Sequence, residues 1–155
     1  MIQNRIVLDT NVCLDLFVFH DPRWLKLEAA LRNGEVQAVT RADCRNEWLL
    51  VLAYPKFALD AAAQASAGAA FDALLACLPL PASGSSTSSV VLPRCSDPDD
   101  QKFLELARDA AAGTLITKDK ALLKLAGKCR RNGLFGIMKP ESWLALHAAA
   151  CTPLP

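Results

Sequence analysis

No Cys-x-x-Cys pair occurs in this chain, although it has six cysteines, at positions 13, 44, 77, 95, 129 and 151. That absence excludes a zinc ribbon and a thioredoxin-type redox motif. The scattered spacing, with no signal peptide ahead of it, points to buried free thiols in a reducing cytoplasm rather than to three disulfides. No apolar run approaches the roughly 18 residues that a membrane span needs, so no membrane association is expected. Histidine is scarce too. His20 and His147 stand alone and far apart, which leaves no histidine metal site. Charge of one sign is missing as well: the formal net charge is +1. A nearly neutral chain does not bind nucleic acid by bulk charge, although a local basic patch stays open to it. There is no internal repeat.

What is present is apolar and helix-forming. Hydrophobic residues make up 52% of the 155, enough to build a core, and many are Ala and Leu, which favour helix. The length is that of one domain, residues 1–155. Residues 5–8 read as a first strand that ends abruptly on Asp9, followed by a short helix through Val12, Leu14, Leu16 and Phe17. Asp21-Pro22 opens a helix that stops at Asn33-Gly34. Residues 36–39 alternate as a second strand, and a helix runs from about Arg41 to Ala53. Residues 58–78 are Ala-rich and read as one long helix or a helical pair.

The Pro-, Ser- and Gly-rich stretch 79–89 reads as an exposed loop and residues 90–92 as a third strand. Asp97-Pro98-Asp99-Asp100 starts the next helix, with Asp97 as its cap and Pro98 in its first turn. Residues 114–117 form a fourth strand, closed by Asp119. A short helix over 121–126, a fifth strand over 134–138 and a closing helix over 140–149 complete the chain. Short strands alternating with helices predict an α/β fold with a parallel sheet covered on both faces.

Asp9, Asp100 and Asp119 follow or flank predicted strands, and open α/β sheets gather their ligands along that edge. Glu47, about two turns into the helix after the second strand, leans over the same edge. At separations of about 6 Å and an effective dielectric of about 20, each pair of such carboxylates costs roughly 3 kcal/mol. Protons or cations must compensate, and hard divalent ions bound by oxygen are the natural choice. A run of six basic residues, Lys118, Lys120, Lys124, Lys128, Arg130 and Arg131, begins beside Asp119. It is either a phosphate-tracking rim or a solvated helix face.

These pieces together resemble the PIN-domain ribonucleases, and among them the stand-alone bacterial PIN proteins found as toxins of toxin–antitoxin pairs. The resemblance is carried by Leu8-Asp9-Thr10-Asn11-Val12, by Glu47 in Arg45-Asn46-Glu47-Trp48, by the block from Cys95 to Ala107, by the block from Leu115 to Leu123, and by the closing block from Ile137 to Leu144. It runs over about residues 4–146. It implies a three-layer α/β/α sandwich with a central parallel sheet of about five strands, and Mg²⁺ or Mn²⁺ held by acids at the strand ends. Carried over residue by residue, Asp9, Glu47, Asp100 and Asp119 are the metal-holding and catalytic acids, and Asn11 and Thr117 orient them. Asp97 is either the helix cap or a sharer of the third-acid role. Lys118 departs from the family, which often has Gly there; a cation at that position either binds substrate phosphate, together with Lys120, or crowds the site.

The activity implied is metal-dependent cleavage of RNA, with an antitoxin as cognate partner and a homodimer as assembly. Two other readings compete. A PIN-like scaffold that binds protein or RNA without cutting is opposed by the presence of all four acids. A phosphatase of the haloacid dehalogenase type wants a second Asp two residues after the first, and position 11 is Asn.

Overall fold

A computed structural model describes residues 2–79 and 91–151. Five parallel strands form one sheet in the order β3-β2-β1-β4-β5: β1 Ile2–Leu8, β2 Gln37–Arg41, β3 Leu75–Leu78, β4 Ala112–Ile116 and β5 Gly136–Met138. The helices are α1 Thr10–Phe17, α2 Leu25–Arg32, α3 Ala42–Leu52, α4 Ala61–Leu74, α5 Gln101–Asp109, α6 Lys120–Leu123, α7 Ala126–Arg131 and α8 Pro140–Cys151.

Successive strand residues point to opposite faces, and each central strand feeds two cores. Ile6 and Leu8 of β1, Ala38 of β2 and Ile116 of β4 pack with residues of α1, α2, α3, α4 and α8. Val7, Val39 and Leu115 pack instead with residues of α5, α6 and α7. This is why Ile6-Val7-Leu8 of β1 reads as a short continuous apolar run: both faces are covered. The result is the expected α/β/α sandwich. The first core is centred on three rings. Trp48 stacks on Phe71 at 5.3 Å between centroids, and Phe17 meets both edge-on at 6.1 and 6.2 Å. Such pairs contribute about 0.5–1.5 kcal/mol each beyond their burial.

The chain winds β1, β2, β3 outward to one side, then returns to place β4 on the other side of β1. The gap between β1 and β4 is therefore the switch point of the sheet, where a crevice opens outside the strand ends.

One expected strand is misplaced. Residues 91–92 carry no strand, residue 90 lies outside the described residues, and the third strand is Leu75–Leu78. Its sequence, Leu-Ala-Cys-Leu, continues the helix-favouring composition of α4, but pairing with β2 from Ala38 to Arg41 draws it into the sheet. Local propensity yields to the pairing partner. The predicted loop over 79–89 lies outside the described residues except for Pro79. The cysteine expectation holds for Cys13, Cys44, Cys95 and Cys129, which are free and buried, while free Cys77 is exposed. No described helix is long and apolar enough to cross a membrane.

Asp60 caps α4, accepting from the Ala63 amide at 2.7 Å. Asp60→Ala is expected to lower stability by about 1 kcal/mol, read as a shift in the urea midpoint with an unchanged slope.

Candidate metal centre

The chain ends β1 at Leu8 and turns directly into α1, so Asp9 is the N-cap of that helix. Its amide donates to the Ile116 carbonyl at 3.0 Å, which extends the β1–β4 ladder by one bond and fixes the carboxylate over the switch point. Asp9 Oδ1 accepts from the Thr10 amide at 2.6 Å and Oδ2 from the Thr117 hydroxyl at 2.7 Å. Thr117 is fully buried just beyond β4, and its amide donates to the Met138 carbonyl of β5. Its hydroxyl oxygen also accepts from the Asp119 amide at 2.9 Å. One threonine is thus hydrogen-bonded to two of the predicted acids.

Asp119 caps α6 by accepting from the Ala121 amide, and Asp97 caps the 3-10 turn Pro98–Asp100 by accepting from the Asp99 amide. Capping and gathering are compatible. Asp97, Asp100 and Asp119 bring one carboxylate oxygen each within 4.8 Å of one another. The Gln101 side chain steadies the approach to Asp97, accepting from the Cys95 amide at 2.7 Å and donating to the Pro93 carbonyl at 3.1 Å.

Glu47 sits half-buried on α3 and is held from two sides. Oε2 accepts from the Thr10 hydroxyl, and Oε1 faces Lys102 Nζ at 2.8 Å. Lys102 also donates to the Asp99 carbonyl. Nearby, Arg41 at the end of β2 ties α3 to α5 through Asp43 at 2.7 Å and Glu105 at 3.1 Å.

Burial and crowding shape the charges. Burial pushes the Asp9 carboxyl up to about 6, against the pull of its bonds to Thr117 and Thr10, with Glu47 and Asp119 adding repulsion. Burial also holds Asp100 well above the usual carboxylate range, and a hydrogen bond with Asp119 and repulsion from Asp9, Asp119 and Asp97 push the same way. Asp119 is correspondingly held low by that bond. Among the described residues, Asp100 Oδ2 is buried with no hydrogen-bond partner, and so is Asn11 Oδ1. An unpartnered buried carboxylate oxygen is costly. Asp100 itself belongs to an all-oxygen cluster, the donor set that hard divalent cations take. The residues fit Mg²⁺ or Mn²⁺ on that ground.

The predicted residues are not all placed alike. Asp100 and Asp119 come together, joined by Asp97 and neighboured by Asp9. Glu47 lies outside the three-acid group, its oxygens both taken. Lys118, expected to bind substrate phosphate, is paired with Asp15 of α1 at 2.6 Å, where Asp15 also accepts from Trp24 Nε1. Lys120 is exposed at the start of α6. Sequence reasoning missed Lys102, Asp15 and Gln101 as members of the site. The signal available for Lys102 and Gln101 was their position directly after Asp100.

Three comparisons bear on this architecture. A model of the PIN domain matches residues 5–121. The crystal structure of VapBC2 from Rickettsia felis, bound to a DNA fragment from their promoter, is similar in fold: the TM-score is 0.54 at 15% identity, covering 86% of this chain and 96% of that one. No curated protein matches the sequence significantly. The matched span takes in Asp9, Glu47, Asp97, Asp100 and Asp119 and four of the five strands, and on that match the chain belongs to the PIN-domain family.

Proposed function

We propose that this protein is a divalent-cation-dependent ribonuclease and the toxin of a toxin–antitoxin pair. The observation that carries the reading is the cluster of three carboxylates, Asp97, Asp100 and Asp119, at the switch point of the sheet, in which Asp100 also has one buried oxygen without a partner. Asp9, Asp100 and Asp119 are the residues that would hold Mg²⁺ or Mn²⁺, with Asp97 beside them and Glu47 at the rim. A cation held there supplies Lewis acidity toward a phosphodiester and lowers the pKa of water.

The rest is done by the chain. Thr117 keeps Asp9 and Asp119 in one orientation. Thr10 and Lys102 hold Glu47. The acids repel the substrate backbone, so the phosphate needs cationic neighbours, and exposed Lys120 beside Asp119 is one. RNA as substrate, an antitoxin as partner and a homodimer belong to this same reading. The resemblance in fold to a protein determined as a VapBC complex supports the partner.

The test is incubation of the purified chain with RNA in Mg²⁺, in Mn²⁺ and in EDTA. Cleavage that needs the cation is the expected result. RNA left intact under all three conditions, by a folded protein, would sink the nuclease.

A further inference from the structure

Among the described residues, Lys102 is the one Lys or Arg ion-paired with any of Asp9, Glu47, Asp97, Asp100 or Asp119. Its ammonium stands 2.8 Å from Glu47 Oε1 and also donates to the Asp99 carbonyl, one residue before Asp100. The Thr10 hydroxyl takes the other Glu47 oxygen. Each Glu47 oxygen therefore has a donor of its own chain, while Asp100 Oδ2 has none. The pair is only partly buried, with 19% of the Lys102 side chain and 27% of the Glu47 side chain exposed. Ion pairs at such depth are modest in net worth, and Lys reaches its partner through a flexible stem as a compact charge. That combination suits a contact that can be exchanged.

We propose that Lys102 is an exchangeable counter-ion: it neutralises Glu47 while the acids hold no divalent cation, and gives it up when one binds. This rests on the metal-centre reading above. Lys102 acts through Glu47 and is a positioning residue, and its effect is to set the cation affinity of the centre. Every binding event has to break the Lys102–Glu47 contact before Glu47 can turn to the incoming charge. Asp9, Asp100 and Asp119, none of which has a basic partner among the described residues, make the first contact, and Glu47 joins at the expense of an internal ion pair.

Calorimetric titration with Mn²⁺ alone tests this on the full chain, comparing the wild type, Lys102→Met, Glu47→Gln and the double variant. Lys102→Met is expected to bind Mn²⁺ roughly 10-fold more tightly, the equivalent of one charged hydrogen bond removed from the cation-free side. In the Glu47→Gln background the same substitution should change affinity by less than about 2-fold, because the two effects share one contact. Lys102→Arg keeps a cation in place and should stay near the wild type. Unchanged or weaker binding by Lys102→Met overturns the exchange and leaves the metal centre standing. A gain that persists in the Glu47→Gln background also overturns it, because simple through-space repulsion would then account for the effect. No Mn²⁺ binding by any of the four proteins removes the metal centre and the exchange together. Circular dichroism confirms folding, and Lys102→Gln replaces Lys102→Met if the methionine variant does not fold.

Discussion

Asp9→Asn is expected to lower cation-dependent RNA cleavage by at least ~100-fold, the equivalent of about 3 kcal/mol of transition-state stabilisation. The fold should survive the change. Asn is as good an N-cap as Asp, so the cap on α1 that Asp9 now forms through Oδ1 is retained. Asn is nearly the same size as Asp and carries no charge, so a residue 5% exposed and crowded by Glu47 and Asp119 loses repulsion and keeps its packing, while the Thr117 hydroxyl that now donates to Oδ2 turns to accept from the Asn amide nitrogen. Activity and stability should therefore part company: cleavage falls while the thermal midpoint holds or rises. Asp119→Asn should behave the same way, because its cap on α6 also survives in Asn. Gel-resolved RNA cleavage beside thermal denaturation of the same samples reads both quantities. Full cleavage by Asp9→Asn, with the protein folded, would remove that carboxylate from the metal-holding set.

The cation-free protein should lose stability as the pH rises from about 4 to 8. Asp9 titrates at about 6 in the folded chain against an ordinary value of 3.8, and Asp100 is raised in the same direction. Between the unfolded and folded values the native state holds protons that the unfolded chain has released, so stability falls with pH across that window. A displacement from 3.8 to about 6 in Asp9 alone corresponds to about 3 kcal/mol. The acids held low by Arg partners, Asp21, Asp43 and Asp72, pull the other way, but their windows lie below 3.8. Above pH 4 the buried acids prevail.

Adding Mn²⁺ at pH 8 should restore the loss, because a ligand at about 100 times its Kd stabilises the folded state by roughly 2.7 kcal/mol. Asp100→Asn removes the most strongly displaced carboxyl. It should flatten the pH dependence in EDTA and abolish the Mn²⁺ rescue. Urea unfolding at pH 5, 6.5 and 8, with EDTA and with Mn²⁺, makes the comparison. Stability that is flat or rising with pH in EDTA would show that burial and crowding do not hold the Asp9 and Asp100 carboxyls up as argued.

Much of this was legible in short windows of sequence. The run Ile6-Val7-Leu8 broken by Asp9, the Asp-Pro start before α5, and Thr-Leu-Ile-Thr ahead of Asp119 each encode a strand or a cap within a few residues. The acids at those ends could be named before any fold was known. What resisted was whatever depended on a distant partner. Leu75–Leu78 has the composition of the helix before it, and only the exposed edge of β2 makes it a strand.

The residues alone were enough to specify a parallel sheet covered on both faces, with acids waiting at its carboxyl edge, because hydrophobic period, capping chemistry and strand-end position are local properties. Tertiary packing had to choose how those acids are used. Thr117 reaches Asp9 across 108 positions of chain, Lys118 is claimed by Asp15 across 103, and Lys102 meets Glu47 across 55. Contacts of that range follow from the winding order of the sheet, which places β4 beside β1 and α5 beside α3. No local pattern carries that order, and it leaves the Asp100 oxygen without a partner while giving Glu47 two.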